Sequence, residues 1–495
     1  MKGIYVTLSL MYLNLILIPI AIGGKLSLMA FLTAIAISSY FTFHAMAFRR
    51  SERPRYVGED FLPLLIIGVP LILSLIISYD VYSIFERLLY SLLAFGLTMI
   101  TWHYLLLVPL AIYYRNLEER ERKQPLIYRP LVSVIIPARN EEKVIGHTIR
   151  SVLESDYEPK EVIVVDDAST DRTFEVASKY QGPRVKVLRK EVGGMGKARA
   201  LNFGLRFARG EVVVFIDADT LITREAIGEL VRKLQDPNVS AVAGNVMVRN
   251  RVNLLTKLQP VEYIATFHLF RKGLSVLGAV PIISGALGAF RRDILEITGF
   301  YDADTLTEDF DVTVKALKAG KVVQASSYAV AFTEVPERLR SLYKQRLRWY
   351  RGAFEVLLKH KDVYRYPSGF GHLKALDFPL IIMNILIIPF IDFLSIISIA
   401  LAILRGLVLP LIVQVILFST LQILITLISL QIAEEKDVSL AVIPLFAIGY
   451  KQFHEVLMLK CFLDVLHARL RGRSFGWTFI ERKGIEERIA QEVRF

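Results

Sequence analysis

The placement of charge is what most constrains this 495-residue chain. Residues 4–22, 26–48, 61–79 and 88–114 contain no Asp, Glu, Lys or Arg. Each run is about 19 to 27 residues long, enough for a helix to cross a hydrocarbon core of roughly 30 Å. Two further runs, 378–404 and 406–433, lie toward the C-terminus, the first carrying one acid, Asp392. From about residue 131 to 364 the texture changes, and short β-branched runs alternate with polar helical stretches, which is the mark of α/β units. The chain is 53% hydrophobic and 22% charged, too apolar for one ordinary soluble enzyme or a disordered nucleic-acid-binding tail.

Arginine placement orients these runs. Arg49, Arg50, Arg53 and Arg55 follow the second, and Arg115, Arg120, Arg122 and Lys123 follow the fourth. The loops after the first and third offer a single cation each, Lys25 and Arg87, the latter with Asp80 and Glu86. The positive-inside rule then puts the N-terminus and the α/β domain in the cytoplasm of a multi-pass protein of the cell membrane. The segment 438–450 is apolar for 13 residues before Lys451, His454, Glu455 and Lys460 appear, so it reads as re-entrant or interfacial. The expected plan is four transmembrane helices (1–115), a cytoplasmic α/β domain (116–333), interfacial amphipathic helices (334–372), a C-terminal block of two to three spans (373–470) and a cytoplasmic basic tail (471–495). An acid inside a span is functional or paired, and Lys451 is a candidate partner for Asp392.

Within the middle domain, 131–137 (LVSVIIP), 161–167 (EVIVVDD) and 211–219 (EVVVFIDAD) read as buried strands, two of them ending in carboxylates. In open α/β sheets ligands gather beyond the carboxyl ends of strands, so these acids converge on one crevice. Asp217 and Asp219, two apart on an extended end, suit Mg²⁺ or Mn²⁺ shared with substrate phosphates, or else they cap a helix starting near 220–225. Asp166 and Asp167 suit a base or ribose, or a turn. The segment 191–197 (EVGGMGK) is a flexible loop whose Lys197 can reach a phosphate, although it is not a Walker A loop. Thr307-Glu308-Asp309 either holds a general base or caps the next helix. Gln345-Arg346-Leu347-Arg348-Trp349 lies in a basic amphipathic stretch, 337–361, of the kind that rests on a membrane surface. The single cysteine, Cys461, closes no disulfide within the chain and builds no thiolate metal site.

In their order along the chain, 132–141, 165–171, 194–202, 217–219, 284–292, 307–309 and 345–349 resemble the inverting family 2 glycosyltransferases, and among them the membrane-embedded poly-N-acetylglucosamine, hyaluronan and cellulose synthases. The resemblance implies a GT-A-like, mostly parallel nucleotide-sugar-binding domain inserted between two helical transmembrane blocks. It implies nucleotide contacts, with uridine as the base, from Pro137, Arg139, Glu141, Asp166, Asp167, Lys197 and Asp217. It gives Asp217 and Asp219 a metal, Mg²⁺ or Mn²⁺, and makes Asp309 the catalytic base. Ser284, Gly285, Glu308, Gln345, Arg348 and Trp349 would serve the acceptor and diphosphate. The stretch 475–484 is similar to the tail motif of the poly-N-acetylglucosamine branch. The implied partners are a UDP-linked sugar, a saccharide or lipid-linked acceptor and membrane lipids, with no nucleic acid. The implied reaction extends a β-linked polysaccharide from UDP-N-acetylglucosamine or UDP-glucose, with possible coupling to export. The rivals are a transferase adding one sugar to a polyprenyl phosphate or glycolipid, and a transporter or receptor that only binds nucleotide.

Overall fold

The structure, a computed structural model, describes residues 6–13, 84–193, 196–365, 373–406, 408–435, 437–443 and 449–472, together with isolated residues elsewhere. They fall into two compact units. One comprises Tyr114–Tyr263, Gly278–Lys361 and Ala468–Phe495; the other comprises Met1–Tyr113, Ile264–Leu277 and Asp362–His467.

The first unit is built on an eight-stranded sheet: β1 (Val132–Ala138), β2 (Lys160–Asp166), β3 (Val185–Arg189), β4 (Val212–Ile216), β5 (Leu221–Ile222), β6 (Val239–Val248), β7 (Leu287–Arg291) and β8 (Val322–Thr333). The spatial order is β3-β2-β1-β4-β7-β6-β8-β5. The strands β1, β2 and β4 are buried almost throughout, which is why they read as unbroken apolar runs rather than alternating ones. Helix α1 (Ile145–Leu153) presents Ile145, Ile149 and Val152 to the shared core. Helices α2 (Thr173–Ser178) and α3 (Lys197–Leu205) follow β2 and β3. Helix α4 (Ala226–Leu234) presents Ile227, Leu230, Val231 and Leu234, the spacing of one helical face. Each such side chain contributes about 1.5–3 kcal/mol on leaving water.

The expectation of a mostly parallel sheet needs correcting, because the sheet is mixed. The block β3-β2-β1-β4 is parallel, and so is the pair β6–β8. Strand β7, however, runs antiparallel to both β4 and β6, and β5 antiparallel to β8. Apolar periodicity marks a strand but carries no sign for its direction. The chain leaves β6, makes the helix α5 (Leu254–Glu262), and re-enters as the five-residue β7 between strands already formed. Three further helices complete the labelled set: α6 (Arg292–Ile297), α7 (Glu308–Lys318) and α8 (Leu339–Lys359). Helix α8 belongs to the same compact unit as the sheet.

The second unit is helical. Its core includes Val108, Ala111, Leu269, Leu421, Ile425 and Ile428. The stretches Leu373–Leu401 and Val415–Ala433 are long and apolar enough to cross a membrane. The run 88–114 falls within the helix Ile84–Arg122, whereas 4–22, 26–48 and 61–79 lie largely outside the described residues. Asp392 is paired with Lys451 at 2.6 Å, the partner expected from the sequence, and Lys451 also reaches Glu455 at 3.3 Å. After a 3₁₀ turn, Val438–Val442, residues 444–448 are not described, and a helix runs Tyr450–Leu470.

Candidate active site

The site forms where β1, β2 and β4 end. Ala138 pairs with Asp166 and Ile135 with Phe215, so the loops beyond these strands leave the sheet side by side. Two of them are laced together. Asn140 N–H donates to Ser169 Oγ at 3.0 Å, Glu141 N–H to Thr173 Oγ1 at 2.7 Å, and Thr170 N–H to Asn140 Oδ1 at 2.8 Å. Half-buried Pro137 closes β1 opposite Val165. Arg139 Nη1 lies 3.7 Å from Asp167 Oδ2, and Lys190 Nζ pairs with the other oxygen of Asp167. Asp166 differs: it is wholly buried, its Oδ2 is 3.3 Å from Arg189 Nε, and its Oδ1 accepts from Ser169 N–H at 3.3 Å. Its carboxylate braces the loop from within.

The second cluster gathers residues more than 100 positions apart. Lys197, the first residue of α3, pairs with Asp217 at the end of β4, and its Nζ is 3.6 Å from Glu308 Oε1 on α7. Gly285 N–H donates to Asp309 Oδ2 at 3.1 Å, tying the loop before β7 to the first turn of α7. A Cβ at Gly285 would sit 2.2 Å from Lys197 Nζ and 3.6 Å from Asp217 Oδ1, so any larger side chain there would collide with the ion pair. Lys197, Phe215, Ser284, Tyr301, Glu308 and Asp309 line one small hollow. Asp217 and Asp219 do not cap the following helix, because β5 intervenes and α4 starts only at Ala226. Asp219 is buried, and Thr220 Oγ1 donates to its Oδ1 at 3.3 Å.

Electrostatics follow from this crowding. Burial alone would lower the Lys197 pKa, but the carboxylates of Asp217, Glu308 and Asp309 outweigh it and hold the ammonium charged. Burial pushes the Glu308 carboxyl above its ordinary range; Asp309 adds to that, while Lys197 and Arg348 oppose it. Burial, followed by Glu308, Asp309 and Asp217, raises Tyr301 well above the usual phenol value, so its hydroxyl is a donor at neutral pH. Arg348, on the Gln345–Trp349 element, is thus close enough for its charge to act on Glu308.

Helix α8 holds that element by a residue the sequence pattern passes over. Arg346 is wholly buried; it donates to Gln345 Oε1 at 2.6 Å and to Glu262 Oε2 at 2.9 Å, and its guanidinium lies 4.1 Å from the centre of the Trp349 ring. Gln345 is buried too, and Trp349 is half-buried. Tyr301 is the other contributor missed in the sequence. The only local signal for it is the preceding Gly299-Phe300 pair, whose φ angles of 74° and 64° turn the chain back toward Asn202.

Asp217 and Asp219 carry hard oxygen donors of the kind a divalent metal takes, with Asp217 paired to Lys197 here. A separate acidic group, Asp302, Asp304 and Asp311, does not compete for that role. Lys359 Nζ already bonds all three, at 2.7, 2.7 and 3.1 Å, and His360 Nε2 is 2.8 Å from Asp311 Oδ1.

The family model for glycosyl transferase family 2 matches residues 133–299, from β1 through β7. That match takes in the strands and loops that carry Asp167, Lys197, Asp217 and Gly285. The chain is 32% identical over 253 residues to the poly-beta-1,6-N-acetyl-D-glucosamine synthase of Staphylococcus aureus strain COL, covering 51% of this chain and 60% of that one. The synthase of Staphylococcus epidermidis strain ATCC 35984 matches at 32% over 257 residues, covering 50% and 62%. The match thus spans about three fifths of the length of these relatives. A solved mannosyltransferase from Pyrobaculum calidifontis, in complex with GDP-Man and Mn²⁺, shares the fold with a TM-score of 0.50 at 24% identity, over 76% of this chain and 99% of that one.

Proposed function

We propose that this chain is a membrane-bound inverting glycosyltransferase that moves a sugar from UDP-N-acetylglucosamine or UDP-glucose to a growing β-linked polysaccharide. The convergence of Lys197, Glu308 and Asp309 on one hollow, with Asp217 paired to Lys197, carries this reading. The likeness to poly-N-acetylglucosamine synthases supports N-acetylglucosamine as the sugar.

In this reading Arg139, Glu141 and Asp167, with Pro137 shaping the wall, receive the nucleoside. Asp166 supports that wall rather than touching the ligand, because it is sealed behind Ser169 and Arg189. Lys197 and Arg348 face the diphosphate, where negative charge accumulates as the glycosidic C1–O bond breaks. Asp217 and Asp219 would hold Mg²⁺ or Mn²⁺, which supplies further charge stabilisation for the departing diphosphate when bound. Asp309 accepts the proton of the acceptor hydroxyl as its oxygen bonds to C1. A single displacement inverts the anomeric centre, so an α-linked donor yields a β-linkage. Ser284, Gly285 and Gln345 border the acceptor, and Trp349 offers it a flat apolar face. In this reading the catalytic domain works at the cytoplasmic face of the cell membrane and the product is exported; the two stretches able to cross a membrane support the attachment.

The second reading, addition of one sugar to a lipid-linked acceptor, fits the same donor chemistry and an apolar second unit. The test is incubation of the purified protein with UDP-N-acetylglucosamine, UDP-glucose and GDP-mannose, following nucleotide release and product mass. Long UDP-sugar-derived chains that cease on chelation and return with Mg²⁺ or Mn²⁺ support the proposal. A single chloroform-soluble sugar adduct supports the lipid acceptor instead, and no nucleotide release from any donor rejects both.

A further inference from the structure

Helix α8 does more than carry Gln345, Arg348 and Trp349. Arg348, Gly352, Glu355 and Lys359 stand at intervals of four, three and four, one face of an α-helix. Gly352, Glu355 and Lys359 contact residues between 302 and 311, around Asp309. Arg348 acts on Glu308 through charge. Gly352 lies so close to Thr307 that a Cβ there would come within 2.6 Å of both Thr307 Cγ2 and Oγ1. Glu355 Oε2 accepts the Leu306 N–H at 3.0 Å. Lys359 Nζ gathers Asp302, Asp304 and Asp311. The order of partners runs antiparallel to the helix, as two elements in register require.

This face matters because it grips residues 306 and 307, the entry to α7, which the helix's own cap does not hold. Its N-cap residue, Thr307, makes no side-chain cap bond, and the Thr307 hydroxyl is buried without a hydrogen-bond partner among the described residues. The Asp309 carboxylate is held on one side by Gly285 N–H and on the other by the Phe310 N–H, 2.9 Å from Oδ1. The phase of that first turn therefore depends on what grips residues 306 and 307 from outside.

We propose that Glu355 is a positioning residue for Asp309: through the Leu306 amide, and with Gly352 seated on Thr307, it sets the rotation of the turn that aims the base. This inference rests on Asp309 being the base. It adds that the helix presenting the acceptor platform and the grip on the base are one rigid piece, so acceptor and base are placed together. A displacement of the base by a fraction of an ångström lowers the rate of transfer without weakening donor binding.

The experiment compares Glu355→Leu and Glu355→Gln with wild type and with Asp309→Asn, using UDP-N-acetylglucosamine as donor. Glu355→Gln keeps an acceptor for the Leu306 N–H, and its kcat is expected to stay within about threefold of wild type; Glu355→Leu is expected to lose about tenfold or more in kcat while donor KM changes less than about twofold. Gly352→Ala supplies an independent probe should Glu355→Leu fail to fold. It is expected to lower kcat, and Thr307→Ala in the same chain, which removes the two atoms at 2.6 Å and leaves the Thr307 Cβ at 3.0 Å, is expected to restore part of it. Full kcat in Glu355→Leu, or equal losses in Glu355→Leu and Glu355→Gln, with Asp309→Asn inactive, overturns the positioning role alone. Retained transfer in Asp309→Asn overturns the base assignment on which it stands.

Discussion

Lys197 and Glu308 show how two residues of opposite sign are set in one hollow with opposite consequences. The ammonium is surrounded by three carboxylates and stays charged despite its burial. The Glu308 carboxyl loses more from leaving water than Lys197 and Arg348 return, and its pKa lies above the ordinary carboxylate range. A carboxyl raised in this way favours the folded state at low pH, and that contribution is lost as pH rises through the raised value. A glutamine carries no such dependence. The thermal midpoint of Glu308→Gln, measured against wild type, is therefore expected to move upward by about 2 °C or more between about pH 4 and about pH 8. A difference that stays flat or falls over that range would show that Glu308 gains more from its cationic neighbours than burial costs it.

At the scale of elements, α8 presents a buried ion pair under an aromatic ring. Arg346 satisfies Glu262 and lies over the Trp349 ring, 4.1 Å from its centre, so one face of the tryptophan is supported. Arg346→Lys retains a charge for Glu262 but not the planar surface. The acceptor KM is expected to rise about threefold or more with folding intact, checked by thermal unfolding and by rates over a series of oligosaccharide acceptor concentrations; an unchanged KM would separate Trp349 from acceptor binding. The strands and their acidic ends were legible because a buried parallel strand is an unbroken β-branched run, as at β1, β2 and β4. Helix α8 was legible too, as a basic amphipathic stretch. The role of Arg346 was hidden because its meaning depends on Glu262, 84 positions away. The direction of β7 was hidden for a like reason, since a five-residue run containing glycine and alanine carries no information about which neighbour it will join.

At the scale of the whole molecule, the chain divides its labour between a mixed-sheet domain that gathers acids from four separate loops and a helical unit with two stretches able to cross a membrane. The pairing of Asp392 with Lys451 explains how an acid is accommodated within one of those stretches. The convergence of Lys197, Asp217, Gly285, Glu308 and Asp309 could be expected in the sequence only from the order of the motifs, because no single spacing among them is specific. The meeting of Lys197, Gly285, Glu308 and Asp309 at one hollow, with Asp217 held to Lys197, is what joins the account together. The most direct measurement is sugar transfer from UDP-N-acetylglucosamine by Asp309→Asn, with nucleotide affinity determined on the same preparation. Transfer is expected to fall by about 10³-fold or more with UDP affinity within about threefold of wild type. Transfer at the wild-type rate, or loss of transfer and nucleotide affinity together, would contradict the placement of the base at Asp309.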